Sequence, residues 1–292
     1  VNPGADGAYQ GAPGAFSEDA AHALLGRGAL LLPCRGFEDV AAAVEDERAR
    51  AGILPIENTL AGSVQPACDL LATRSLQIVG ETVIRVTHSL VGVAGAAFEG
   101  VRQVLSHPVA LAQCERFFRD HPRLEAVPVY DTAGAVLRVV EEGRADRAAI
   151  ASRRAALLHG GVLLREGIED DPENYTRFLL LARGAPAAPG AGPRKTSLVV
   201  IAAHRPGSLH ECLGHFARRG IDLTRIESRP LRGRPFEYAF YLDLAGDAAE
   251  PPIAEALQAL RGSAGEVRVL GSYARADAPP GRRPEGSPLR TA

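Results

Sequence analysis

Gly184-Ala185-Pro186-Ala187-Ala188-Pro189-Gly190-Ala191-Gly192-Pro193-Arg194-Lys195 divides this chain in two. The run carries no apolar periodicity and is built from residues that interrupt helices and strands, so it reads as a linker over 184–195. It leaves 1–183 as one domain and 196–273 as another. The stretch 274–292 is rich in Pro, Gly and Arg, holds Leu289 as its one large apolar residue, and reads as a disordered tail.

Upstream of the linker, β-rich runs at 29–32, 52–56, 83–87, 101–105, 127–130, 148–151 and 178–181 alternate with helical patterns. Phe37, Val40 and Val44 make one apolar stripe, Val64, Cys68 and Leu71 a second, and Leu111, Cys114 and Phe118 a third. Strand alternating with helix predicts an α/β, doubly wound arrangement of parallel sheet with helices on both faces. Such folds bind ligands at the carboxyl ends of the strands. Downstream the order changes to strand 197–202, helix 208–219, strands 221–230 and 236–244, helix 253–260 and strand 267–273, a ferredoxin-like βαββαβ unit. Phe236, Tyr238, Phe240, Leu242 and Leu244 alternate onto one face of its third strand, while Leu209, Leu213 and Phe216 stripe its first helix.

Composition excludes several functions. With 292 residues, 46% hydrophobic content, and 33 basic against 35 acidic residues, the formal charge is −2, no footprint for a nucleic-acid backbone. No run approaches the ~20 apolar residues of a membrane span, and residues 1–6 lack the basic flank and apolar core of a signal peptide. A cytoplasmic location is expected, with no membrane partner. Cys34, Cys68, Cys114 and Cys212 stand singly, as reduced core residues would, with no Cys-x-x-Cys pair. Lys195, the only lysine, falls in the Pro/Gly-rich run, which argues against Schiff-base or P-loop chemistry. Gly7, Gly11 and Gly14 do not make Gly-x-Gly-x-x-Gly, and there is no His-Glu-x-x-His. The expectation is a protein without metal or cofactor.

What recurs instead is a small hydroxyl residue where a strand gives way to a helix: Thr59 with Ser63, Ser106 before Pro108, Thr132 after Asp131, and Ser152 after Ala151. Each is either an ordinary helix cap or a place where free N–H groups and the helix dipole hold an anion. Several converging on one cleft would suit a small dicarboxylate. His88 and His107 sit at such junctions and face either a ligand or the core. Glu57 and Asn58, ending the strand Gly52-Ile53-Leu54-Pro55-Ile56, form a polar pair for a binding site or a turn.

Four segments carry a resemblance: Gly11-Ala12-Pro13-Gly14-Ala15-Phe16-Ser17-Glu18, Pro55-Ile56-Glu57-Asn58-Thr59-Leu60-Ala61-Gly62-Ser63-Val64, Ser106-His107-Pro108-Val109-Ala110-Leu111-Ala112-Gln113-Cys114, and Asn174-Tyr175-Thr176-Arg177-Phe178. In this order and spacing they resemble the monofunctional prephenate dehydratases with a carboxyl-terminal ACT regulatory domain. The resemblance implies two catalytic lobes like those of type II periplasmic binding proteins, with the active site between them. It implies conversion of prephenate to phenylpyruvate, water and carbon dioxide, with Thr176, Arg177 and Phe178 as the catalytic motif. In that reading Thr176 is a positioned hydrogen-bond donor, and Arg177 offers a fork to a carboxylate or forms a salt bridge within the protein. The substrate-binding set it implies is Glu57, Asn58, Thr59, Ser63, Ser89, Ser106, His107, Gln113 and Thr132.

In the second domain, Pro206-Gly207-Ser208-Leu209 and Glu227-Ser228-Arg229-Pro230 resemble the family's two phenylalanine-binding motifs. The implied effector set is Gly207, Ser208, Leu209, Asp222, Glu227 and Ser228, with L-phenylalanine bound where two such domains pair in a homodimer or homotetramer. Ser208 stands where the family often has Ala, and Asp222 where Asn is usual. Residues 8–11 and 131–135 read closer to the branch that uses arogenate, so arogenate dehydratase is the nearest alternative. A carboxylate such as Glu57 near the substrate's side chain would favour that substrate's ammonium. A non-catalytic, amino-acid-sensing two-lobed protein is the alternative from another class, and the intact Thr176-Arg177-Phe178 argues against it.

Overall fold

The structure is a computed structural model that describes residues 4–184, 192–231, 233–234 and 236–277. The first lobe starts with β1 (Ala5–Gln10), flanked in parallel by β2 (Leu31–Cys34) and β3 (Ala49–Asn58), with α1 (Phe16–Leu25) and α2 (Phe37–Glu45) as the crossovers. Two-residue β4 (Gly62–Ser63) folds back on β3, and α3 (Gln65–Thr73) leads to β5 (Gln77–Arg85).

The chain then crosses into a second lobe made of β6 (Ser89–Gly92), β7 (Gln103–Ser106), α4 (Pro108–Ala112), α5 (Glu115–Asp120), β8 (Glu125–Pro128), α6 (Thr132–Glu142), β9 (Arg147–Ala151), α7 (Arg153–His159) and β10 (Val162–Glu166). It returns as β11 (Tyr175–Ala182), which enters the first sheet antiparallel between β3 and β5. The sheet orders are β2-β1-β3-β11-β5 and β10-β6-β9-β7-β8. The two crossings lie side by side: the Val86 N–H donates to the Asn174 carbonyl at 2.7 Å, and the His88 N–H to the Glu169 carboxylate at 2.8 Å.

The two-lobed, doubly wound α/β architecture is the expected one, but the sheets are mixed. A strand that follows a lobe crossing arrives reversed, so β11 runs antiparallel in the first sheet and β6 in the second. Sequence pattern missed β1, whose Ala-Asp-Gly-Ala-Tyr-Gln has no β-branched residue, and also β6, β10 and two-residue β4.

The carboxyl-terminal unit follows its βαββαβ expectation: β12 (Arg194–Ile201), α8 (Ser208–Ala217), β13 (Leu223–Pro230), β14 (Tyr238–Ala245), α9 (Pro251–Ser263) and β15 (Glu266–Ala274), in sheet order β13-β14-β12-β15. Phe236 lies outside β14, 84% exposed at φ 66°, so the apolar face of that strand is carried by Phe240, Leu242 and Leu244. Helices α8 and α9 cover one face of this sheet. The other face is apolar as well. Val199, Ala239, Tyr241, Leu270 and Tyr273 join Leu54, Ile56, Leu71, Ile78, Leu179 and Leu181 of the first lobe in one continuous core.

That junction corrects the expected linker. Residues 185–191 lie outside the described residues, but Arg194 and Lys195 belong to β12 and Lys195 is buried. Its pairing with Glu81, at 2.7 Å, explains how a lysine in a Gly/Pro-rich run comes to be inside. The expected tail likewise begins too early, since Ala274 ends β15 and the Ala276 N–H donates to Glu81 at 3.0 Å; residues 278–292 lie outside the described residues. No helix among the described residues is long and apolar enough to cross a membrane.

Candidate active site

A cleft of about 820 Å³ lies between the two catalytic lobes, lined by residues from both. Asn58 and Thr176 come from the first lobe, at the carboxyl end of β3 and the amino end of antiparallel β11. His88, His107, Gln113 and Thr132 come from the crossing and the second lobe.

The floor is a buried amide network. The Asn58 Nδ2 donates to the Asn174 Oδ1 at 2.7 Å and to the Thr176 Oγ1 at 3.0 Å. Its Oδ1 accepts from the Leu60 and Ala61 N–H groups and from the Gln113 Nε2 at 3.2 Å. Gln113 Oε1 in turn accepts from the Asn174 Nδ2 at 3.0 Å and lies 2.9 Å from the His88 Nε2. The network fixes all three amides, and makes Nε2 the protonated nitrogen of His88. Burial lowers the His88 pKa against the opposing hydrogen bond that the ring donates to Gln113, so the ring is neutral near pH 7. Thr176 Oγ1 accepts from Asn58, and among the described residues nothing accepts the Thr176 proton. One donor is therefore left over at the cleft.

Five helices begin at this cleft: α1 with Phe16 and Ser17, α2 with Phe37, α3 with Gln65 and Pro66, α4 with Pro108 and α6 with Thr132. Where a polar residue precedes the helix, it is spent on capping. His107 Nδ1 accepts from the Val109 N–H, Asp131 from the Gly134 N–H, and, away from the cleft, Ser152 from the Ala155 N–H. Helices α1, α2 and α3 start after Ala15, Gly36 and Val64, which cap nothing with a side chain. Those three amino termini are the positions where free N–H groups and the positive end of the dipole face the cleft. No Lys or Arg is among its lining residues. Asp131 also accepts from the Ala12 N–H at 2.9 Å, and the Gln10 Nε2 donates to the Tyr130 hydroxyl at 3.3 Å, two ties across the lobes.

Of the residues anticipated for the site, Asn58, Ser63, His107, Gln113, Thr132 and Thr176 come together on the cleft. The others do different work. The Thr59 hydroxyl donates to the Glu173 carbonyl and accepts from the Tyr175 N–H, tying two loops. Ser106 is buried and donates to the Ile150 carbonyl at 2.6 Å, while Ser89 is buried within β6. Phe178 packs with Tyr9, Ala20, Ala21 and Ile53 in the core beneath α1. Glu57 and Arg177 turn to the opposite face of the sheet. Arg177 lies 2.7 Å from Glu81, 2.7 Å from Asp243 and 3.6 Å from Glu57, so its fork is used within the protein and is not offered to a ligand. Alternation along a strand is the reason, since neighbours of Asn58 and Thr176 must point the other way.

Two members of the network, Asn174 and His88, are not among the residues the sequence marks for the site. Asn174 lies within its motif, but no local pattern marks a buried asparagine as part of a network, and His88 reads equally as a core residue. Of the effector set, Ser208 and Leu209 line a second pocket of about 300 Å³, with His204, Arg205, Phe236 and Tyr238. Glu227 is turned away from it, and accepts a hydrogen bond from the Ser63 hydroxyl at 2.8 Å. Gly207, Asp222 and Ser228 do not line that pocket either; Asp222 and Ser228 are exposed.

Comparison with known proteins shows the family of both units. Residues 8–186 match the prephenate dehydratase family model and residues 196–262 the ACT domain model. The chain is 42% identical over 276 residues to arogenate dehydratase/prephenate dehydratase 2, chloroplastic, of Arabidopsis thaliana, covering 91% of this chain and 72% of that protein. It is 39% identical to the bifunctional N-acyl-homoserine lactone acylase/prephenate dehydratase of Komagataeibacter europaeus, covering 91% and 94%. The structure of prephenate dehydratase in complex with L-Phe from Arthrobacter aurescens superposes with a TM-score of 0.84 at 33% identity, over 92% of this chain and 90% of that one. With its catalytic lobes and its βαββαβ unit both matched, the chain belongs to the prephenate dehydratase family of lyases, in the form that carries an ACT domain.

Proposed function

We propose that the chain converts prephenate to phenylpyruvate at the interlobe cleft. The observation that carries this reading is the Thr176 hydroxyl, held by Asn58 and left with its proton unclaimed. In the reaction the bond from the ring to its carboxylate carbon breaks, and its electron pair enters the ring as carbon dioxide departs. The ring's C–O bond breaks at the opposite carbon, and the leaving oxygen takes a proton and departs as water. Aromatisation drives the step, so the protein has to anchor two carboxylates, offer a donor to the leaving oxygen, and keep the network dry. Thr176 supplies that donor, and the uncapped starts of α1, α2 and α3 supply anchors for anions.

Arogenate differs in bearing an ammonium where prephenate has a keto oxygen, and plant relatives carry its name. Glu57 is not the group that would select it, because that carboxylate faces Arg177 and Arg225 on the far side of the sheet. Purified protein supplied with prephenate and no added metal or nucleotide is expected to yield phenylpyruvate, and to prefer prephenate by more than about fivefold in kcat/KM, the worth of ~1 kcal/mol in polar matching. Arogenate turned over more than tenfold faster would leave the reaction class standing and overturn the substrate.

L-phenylalanine is the effector we assign to the ACT domain. The support is the L-Phe named with the Arthrobacter aurescens structure, together with the Ser208 and Leu209 pocket. A complete site formed by two paired ACT domains, in a dimer or tetramer, fits the exposed Ile226, Phe236 and Tyr238 on this domain. Calorimetric binding of L-phenylalanine, with a fall in turnover over the same concentration range, is the expected result; inhibition without binding to the ACT domain would refute the assignment.

A further inference from the structure

Thr176 and Arg177 are successive residues of β11, so their side chains leave opposite faces of the sheet. Thr176 enters the cleft with Asn58, and Arg177 enters the seam beneath the ACT sheet. The ladder between β11 and β3 is irregular at this point, shifting register between Arg177 and Phe178. The unpaired residue, Ile56, lies in β3, so on that edge the ladder holds β11 less firmly around Arg177, while β5 pairs with β11 in register from Tyr175 to Leu180. What lies under Arg177 therefore bears on where Thr176 points.

What lies there is a closed set of buried charges drawn from both domains. The Arg177 Nε donates to the Glu81 Oε2 at 2.7 Å; its Nη2 lies 2.7 Å from the Asp243 Oδ2 and donates to the Tyr273 hydroxyl at 3.2 Å. Lys195 donates to both Glu81 oxygens, at 2.7 and 3.0 Å. Ser197 donates to the Asp243 Oδ1 at 2.5 Å and lies 2.6 Å from the Tyr273 hydroxyl. Glu81 and Arg177 come from the catalytic lobe, while Lys195, Ser197, Asp243 and Tyr273 come from the ACT sheet. The side chains of Glu81 and Asp243 are 1% and 4% exposed, so neither carboxylate has water to turn to if its partner moves. Burial opposes the Asp243 charge, but Arg177, Ser197 and Lys195 overcome it and hold the carboxyl below its usual value. The guanidinium is hydrogen-bonded to Glu81 on one edge and set against the Asp243 Oδ2 on another as a charge contact outside hydrogen-bond geometry, which leaves it little rotational freedom.

We propose that Asp243, a residue of the ACT domain, is a positioning residue for the reaction, setting Thr176 through Arg177. The ACT sheet thereby completes the support of the catalytic strand, and a displacement of that sheet would act on turnover at the adjacent residue. This inference rests on Thr176 as the donor hydroxyl, and the test separates the two ideas.

The experiment is a double-mutant cycle in the full-length chain, using Asp243→Asn, Thr176→Ala and the double variant, with kcat and KM for prephenate measured at matched folded fractions. Asp243→Asn keeps the shape and removes the charge. We expect kcat to fall about tenfold with KM inside twofold of the parent, and the same change to lower kcat less than twofold in the Thr176→Ala background. Equal losses in both backgrounds, or an unchanged kcat in the Asp243→Asn protein, overturn the positioning role. Near-native turnover by Thr176→Ala alone overturns the donor assignment instead. If near-ultraviolet circular dichroism shows Asp243→Asn unfolded, Asp243→Glu, which keeps the charge but shifts Arg177, is read by the same cycle and the same outcomes.

Discussion

Thr176→Ala will fold like the parent and turn prephenate over roughly a hundredfold more slowly, the order of effect seen when a donor to developing charge is removed, ~3 kcal/mol. The fold should survive because the deleted hydroxyl leaves little stranded. Asn58 Nδ2 retains the Asn174 Oδ1 and the Tyr175 carbonyl as acceptors, at 2.7 and 3.1 Å. Loss of one neutral hydrogen bond costs about 1 kcal/mol in stability. The loss of rate should lie mainly in kcat, since the donor is needed as the leaving oxygen gains charge. Thr176→Ser, which restores the hydroxyl without the methyl, should recover part of the rate. Steady-state kinetics beside thermal unfolding checks both statements, and a near-native kcat in the alanine variant would remove Thr176 from the mechanism.

Gly271→Ala is expected to be the most destabilising single-methyl change in the interface between the domains. Strand β15 crosses β5 at Gly271, where the β12 ladder shifts register between Ser197 and Leu198, and a Cβ built on this residue collides with the Ile78 carbonyl. Its φ of 156° is also a conformation that side chains rarely adopt. The collision is with backbone, so no rotamer relieves it, and the two sheets must separate across the core that Leu270 and Tyr273 share with Ile78 and Leu179. Overpacking of this kind costs ~3 kcal/mol, which for a chain of this size lowers Tm by roughly 5 to 10 °C. Gly262→Ala on α9, where the added methyl meets nothing within 4 Å, is the matched control and should hold or raise Tm. Equal midpoints for the two variants would mean that the domains do not pack as described.

Both predictions concern a chain whose two domains share one core, and that changes how its regulation is to be pictured. The ACT sheet is buried on the catalytic lobe through Val199, Tyr241 and Leu270, and Arg225 and Glu227 of β13 reach Ser63 on the cleft wall. On the proposed assignment, an effector that moves this sheet has two short routes to the reaction, one through Ser63 and one through Arg177.

The sequence by itself determined the broad plan. Period-3.6 stripes such as Phe37, Val40 and Val44 made helices, β-rich runs such as 52–56 made strands, and their order separated an α/β unit from a βαββαβ unit. These are local properties, set by which face of each element must leave water. Part of the site was legible too, because Asn58, Gln113 and Thr176 lie in motifs that carry the family resemblance. Only the tertiary structure decided which side of each strand faces the cleft. Thr176 and Arg177 are neighbours in the chain, yet one borders the cleft and the other is sealed beneath the ACT sheet; Asn58 and Glu57 of the partner strand part to the same two faces, with Glu57 left half-exposed beside Arg177. Strand periodicity says that adjacent residues part company, but the choice of face follows from what packs on each, here α1 on one side and the ACT sheet on the other. Lys195 shows the same limit: a lysine beside a Gly/Pro run reads as exposed until a buried carboxylate 114 residues away in sequence comes to meet it.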